Sequence, residues 1–140
     1  MNRPGYTPKT QKDAVGMAGE QIAVQFLHDN GYTVIERNYR HGRQEIDIIA
    51  RDAQFLIFVE VKTRSCTTPE SLTYGRPAHA VGAKKQHNVT LAAKAYLRQH
   101  PNLGLQPRLD VIEVYLRGSD MGTLPTALKI NHIRNAFFAR

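Results

Sequence analysis

Three charged side chains fall inside segments that otherwise read as apolar β-strands. Asp47 interrupts Glu45-Ile46-Asp47-Ile48-Ile49-Ala50, and Glu60 and Lys62 close the run Gln54-Phe55-Leu56-Ile57-Phe58-Val59-Glu60-Val61-Lys62. Residues 55–59 show no polar alternation, which predicts a central strand covered on both faces. A charge buried beside such a strand is costly unless it is paired or coordinated. A sheet that keeps two carboxylates and an ammonium there is constrained by whatever they hold together.

The rest of the chain supplies the layers that cover such a strand. Val15, Ala18, Ile22, Ala23, Phe26 and Leu27 recur at helical steps from residue 13, with Asp13 able to cap the helix and Gly31 to end it. Residues 32–39 read as a strand, His41-Gly42-Arg43 as a turn, and 45–50 with 54–62 as an antiparallel hairpin. Residues 63–79, with Pro69, Gly75 and Pro77, read as a loop long enough to carry function or be disordered. A helix follows over 80–99, with Val81, Val89, Ala92, Ala93 and Tyr96 as its inner face. Strands are expected at 109–116 and 127–133, then a short helical end at 135–139. The third strand, second helix and fourth strand form a crossover unit, so those two strands are expected to be parallel. The fold class is therefore α/β, a mixed sheet flanked by helices in the order α-β-β-β-α-β-β. One domain spans 13–140 behind a flexible basic tail, 1–12.

The bulk composition narrows the partners. The 140 residues suit one core, and 19 Lys and Arg against 12 Asp and Glu leave a net charge of +7. A basic balance favours polyanions through counterion release, so nucleic acid is the expected partner. Arg37, Arg40, Arg43, Arg51, Lys62 and Arg64 flank the buried carboxylates in sequence, and Lys84, Lys85, Lys94 and Arg98 follow. A merely solvated surface would carry the same charges. The apolar runs are too short for a membrane helix, and no secretory leader is expected from the polar first ten residues. Cys66 is the sole cysteine, which excludes an internal disulfide and fits the cytoplasm. It reads as a small loop side chain.

Spacing then groups the charges. Side chains two apart on a strand share a face, so Glu60 and Lys62 pair up, as do Glu45 and Asp47. Across a hairpin Asp47 comes close to Glu60. Two carboxylates at that range repel, and a divalent cation relieves the repulsion. Hard oxygen ligands suit Mg²⁺, with Mn²⁺ able to substitute, and the Val61 carbonyl can add a ligand. Lys62 beside the ion would orient a water or neutralise charge on a phosphate. Glu20 lies seven residues before Leu27 and projects at nearly the same helical angle. It can ligate the ion, hold a water in its shell, or be a surface carboxylate. Gly16, one turn earlier, would leave room for close approach. A plain sheet salt bridge from Lys62 to Asp47 or Glu60 is the competing interpretation.

Asp47, followed thirteen residues later by Glu60-Val61-Lys62 and preceded by Glu20 on a helix, resembles the PD-(D/E)xK nuclease pattern. Gly19-Glu20, Gly31-Tyr32, Arg37-Asn38-Tyr39-Arg40, Glu45-Ile46-Asp47, Phe58-Val59-Glu60-Val61-Lys62-Thr63-Arg64, Lys84-Lys85-Gln86, Asp110-Val111 and Asn135-Ala136-Phe137 resemble the bacterial YraN family. That family is similar to archaeal Holliday-junction resolvases. The resemblance implies a restriction-endonuclease-like fold and a Mg²⁺-dependent endonuclease acting on DNA more than RNA, including branched DNA. It implies Asp47 and Glu60 as metal ligands, Lys62 as the catalytic lysine and Glu20 as the helix carboxylate. Gln44 departs from the glycine usual before the Glu-Ile-Asp stretch. Arg37, Arg40, Arg43, Arg64, Lys84 and Lys85 would position phosphates, and a two-fold homodimer would suit a four-way junction. Asp110 either supports the site or pairs with an arginine, and the second is favoured. Two other functions compete: a nucleic-acid-binding module without catalysis, and an inactive adaptor on a nuclease fold.

Overall fold

The computed structural model describes residues 11–66, 82–117 and 127–137. Helix α1 (Gln11–Asp29) leads into strands β1 (Thr33–His41), β2 (Gln44–Arg51) and β3 (Phe55–Cys66); helix α2 (Ala83–Gln99) then precedes β4 (Gln106–Arg117) and β5 (Ala127–Ile133). The five strands form one sheet in the order β1-β2-β3-β4-β5. The hairpin strands β2 and β3 are antiparallel, and β3 and β4 are parallel, as the crossover requires. The protein is an α/β fold with the expected element order, and β3 is central.

Each face of β3 is closed by one helix. Leu56 and Phe58 pack with Ile46, Ile49, Val89, Ala93 and Tyr96 on the α2 side. Ile57 and Val59 pack with Ala23, Leu27, Ile48, Ile112 and Val114 on the α1 side. Burial on both faces explains why residues 55–59 show no polar alternation.

The element ends differ from expectation in instructive ways. Helix α1 begins at Gln11, so Asp13 lies within its first turn instead of before it. Strand β3 runs on through Thr63, Arg64 and Ser65 to Cys66 because β4 pairs with it over that whole length. Those residues, including Cys66, were expected in a loop. Residues 67–79 of that loop lie outside the described residues. Arg134 to Phe137 form a turn and bend, not the expected helical start, with Asn135 at a φ of 54°. Among the described residues no helix is long and apolar enough to cross a membrane.

Candidate metal centre

The site forms where the hairpin comes apart. Strands β2 and β3 pair from Arg51–Leu56 to Ile48–Val59, and there the ladder stops. The next residues toward that end are Asp47 and Glu60. Asp47 Oδ2 instead accepts a hydrogen bond from the Val61 backbone N–H at 2.8 Å. The carboxylate therefore takes the place of the missing strand partner, and the parted strands open a cavity.

Opposite Asp47 lies Asn38, between the ladder partners Arg37–Ile48 and Tyr39–Ile46. Asn38 has a φ of 54°, a conformation for which asparagine is among the better-suited side chains. Alternation breaks on both strands at this point. Ile46 packs on the α2 side and Ile48 on the α1 side, although they are two apart. The inference that Glu45 and Asp47 share a face assumed unbroken alternation, which β2 does not keep. Glu45 turns to Arg40, 3.0 Å away.

One cavity of about 330 Å³ is lined by Val15, Gly16, Glu20, Asp47, Glu60, Val61, Lys62 and Thr63. The four side chains singled out by spacing thus meet around one space. Helix α1 reaches it because Gly19 lies against β3: a Cβ there would overlap the Thr63 side chain, standing 2.9 Å even from the Thr63 Cβ. At Gly16 nothing lies within 4 Å. The close approach expected of Gly16 belongs to Gly19.

Electrostatics set the protonation of the acidic pair. Glu60 and Asp47 are buried, at 4% and 8% exposure. Burial, and then the Asp47 carboxylate beside it, push the Glu60 carboxyl well above the usual carboxylate range, to about 9. Glu60 therefore keeps its proton near neutrality. Lys85 Nζ from α2 stands 3.1 Å from Glu60 Oε2. That oxygen is buried, and the Lys85 ammonium is the cation that it faces.

The donor set fits a hard divalent ion in a restricted way. Two buried carboxylates and a nearby backbone carbonyl suit Mg²⁺, which binds few protein ligands and keeps waters. Among the described residues no three His, Cys, Asp or Glu side chains stand close enough to hold an ion together. Glu20 lines the cavity but its Oε1 lies 4.0 Å from Arg37 Nη2.

The basic residues separate into groups. Arg37 is only 13% exposed and points to α1, donating to Gln21 Oε1 at 3.1 Å, so it is not a free phosphate contact. Arg64 pairs with buried Glu113 at 3.5 Å. Arg43 and Lys84 are exposed. Arg51 lies at the last position of β2, beyond Asp47 and beside the Asp52 turn, and does not crowd the carboxylates as its position in sequence suggested.

Two acidic residues of β4 complete the charge map. Asp110 is fully buried and receives hydrogen bonds from Arg108 at 2.9 Å to each oxygen and from the Asn135 N–H at 2.9 Å, with His132 Nε2 at 2.7 Å. It pairs with an arginine, as favoured from sequence. Burial alone would raise its carboxyl, but His132, Arg108 and Asn135 together hold it below the usual range. Sequence reading missed Glu113, the strand partner of Lys62 in the register. The signal was present: Glu113 interrupts Val111-Ile112-Glu113-Val114 as Asp47 interrupts β2.

An antiparallel hairpin that parts at an acidic pair, feeding a parallel crossover, defines an α/β protein with one mixed five-stranded sheet flanked by helices. The chain belongs to the uncharacterised protein family UPF0102, the YraN family of the sequence resemblance, whose model matches residues 19–114. It is 43% identical over 132 residues to a UPF0102 protein of Acetivibrio thermocellus, covering 92% of this chain and 95% of that one. A UPF0102 protein of Trichlorobacter lovleyi is 44% identical over 125 residues, 89% of this chain and 90% of its own. Among solved structures, Pyrococcus furiosus SfsA in complex with Ca²⁺ aligns with a TM-score of 0.32 and 14% identity, over 85% of this chain and 61% of that one. A likeness that distant bears no weight on activity.

Proposed function

We propose that this protein is a metal-dependent endonuclease that hydrolyses DNA phosphodiester bonds, with branched DNA such as four-way junctions among its substrates. The observation that carries the proposal is the convergence of Glu20, Asp47, Glu60 and Lys62 from three elements on one cavity. A bound Mg²⁺ would polarise the phosphate and lower the pKa of an attacking water. Asp47 and Glu60 would hold it, with the Val61 carbonyl as a further ligand. Lys62 donates N–H groups toward the phosphate oxygens and the incoming water. Glu20, within 4.0 Å of Arg37, would accept a hydrogen bond from a water in the cavity. The exposed Arg40, Arg43, Arg64 and Lys84 attract the phosphate backbone without reading bases.

The second reading, a binding module without catalysis, draws on Lys85 beside Glu60, which offers the pair a cation without any metal. Cleavage assays separate the two. Duplex, flap, single-stranded and four-way DNA are incubated with Mg²⁺, Mn²⁺ or EDTA. Metal-dependent cleavage of at least one substrate, lost in Lys62→Ala, is expected. Binding with no cleavage in any metal would favour the module.

A further inference from the structure

Among the described residues, Lys85 is a charge beside the acidic pair that the proposed chemistry leaves unused. It stands in the first turn of α2, its side chain 44% exposed, while the carboxylate that it meets is 5% exposed. Its stem thus lies in solvent and its tip enters the buried pair. The helix position is unfavourable for it. The N-terminus of a helix repels cations, that first turn contains no acidic residue, and Gly82 supplies no side-chain cap. Glu60, Asp47 and Glu45 supply the attraction that holds it.

An ion held by Asp47 and Glu60 would meet this ammonium at close range in a poorly solvated space, where like charges repel strongly. The two cannot share Glu60 Oε2. We propose that Lys85 is a resident counter-ion that a divalent metal displaces, so that metal loading frees one ammonium at the rim for a nucleic-acid phosphate. The inference rests on the reading of Asp47 and Glu60 as metal ligands. Its consequence is a link between the two bindings: metal raises the number of phosphates neutralised by one, and Lys85 weakens metal binding when no nucleic acid is present.

Lys85→Met keeps the stem and removes the charge; Arg98→Met, exposed in the last turn of the same helix, is the control. Mn²⁺ binding to the full chain is measured by calorimetry without DNA. Lys85→Met is expected to bind Mn²⁺ about tenfold more tightly than the wild type, a gain of about 1.4 kcal/mol, and Arg98→Met as the wild type does. Duplex binding is then measured against salt, with Ca²⁺ or with EDTA. The wild-type slope of log K on log salt should steepen by about 0.9 with Ca²⁺, one phosphate's worth, and the Lys85→Met slope should not change. Mn²⁺ bound equally or more weakly by Lys85→Met overturns the exchange, as does a wild-type slope indifferent to Ca²⁺. A wild type that binds no Mn²⁺ overturns the metal-site reading as well.

Discussion

Asp47 accepts the Val61 backbone N–H at 2.8 Å at the point where β2 and β3 cease to pair. That bond makes the carboxylate part of the sheet. It satisfies a backbone donor that the parted ladder would otherwise orphan, and it fixes the acid beside Glu60. Structure and site chemistry are therefore coupled through one side chain. Asp47→Ala should destabilise the protein by about 1–3 kcal/mol by orphaning the Val61 donor, and Asp47→Asn, which keeps an acceptor, by less. Urea titration of the two variants checks the order. Both should lose Mn²⁺ binding.

The acidic pair sets a pH dependence. The Glu60 carboxyl is raised from 4.5 to about 9 by burial and by Asp47. A carboxyl with a raised folded pKa takes up protons on folding, so its contribution to stability is full below about 4.5 and is lost as the pH rises toward 9. In EDTA, wild-type stability should fall relative to Glu60→Gln across that window. Mn²⁺ affinity should rise over the same window, with protons released on binding. Thermal melts and calorimetry in buffers of differing ionisation enthalpy measure both effects.

Helix α1 reaches the site through Gly19. A methyl there meets Thr63 down to its Cβ, which cannot swing away. Gly19→Ala should cost about 1–3 kcal/mol by overpacking and move Glu20 away from the cavity, lowering Mn²⁺-dependent cleavage more than DNA binding. Gly16→Ala, into open space, should do neither. Thr63→Ala should partly rescue the first variant. Chemical denaturation and cleavage rates of the three decide it.

Asp110 depends on its donors. Arg108 and His132 are 11% and 8% exposed and both face it. Asp110→Ala leaves that guanidinium buried without its carboxylate, and should cost about 3–5 kcal/mol. Metal affinity in any folded fraction should be unchanged, because no part of this network lines the cavity with Asp47 and Glu60. Urea titration and Mn²⁺ calorimetry check the two halves separately.

Much of this was legible in the residues, and what was not has physical causes. The hairpin, the crossover and the two-sided burial of β3 follow from the alternation pattern and its absence, and so does the meeting of Asp47 with Glu60. The break at Asn38 and Asp47 was hidden, because a single left-handed residue leaves the pattern of residue types intact while reversing the faces beyond it. Which glycine lies under β3 depends on how α1 crosses the sheet, and sequence spacing does not encode that angle. Arg37 reads as a surface charge until α1 covers it. Lys85 reads as a rim charge until α2 is docked, when its tip meets Glu60.

The central claim is that Asp47 and Glu60 hold a divalent ion next to Lys62. Anomalous diffraction from crystals soaked in Mn²⁺ tests it most directly. The account predicts a peak between the two carboxylates, within about 2.0–2.3 Å of an oxygen of each, as expected for a hard cation near the size of Mg²⁺, and with Lys85 turned away from Glu60. No peak there at saturating Mn²⁺, with Lys85 still against Glu60, would contradict it.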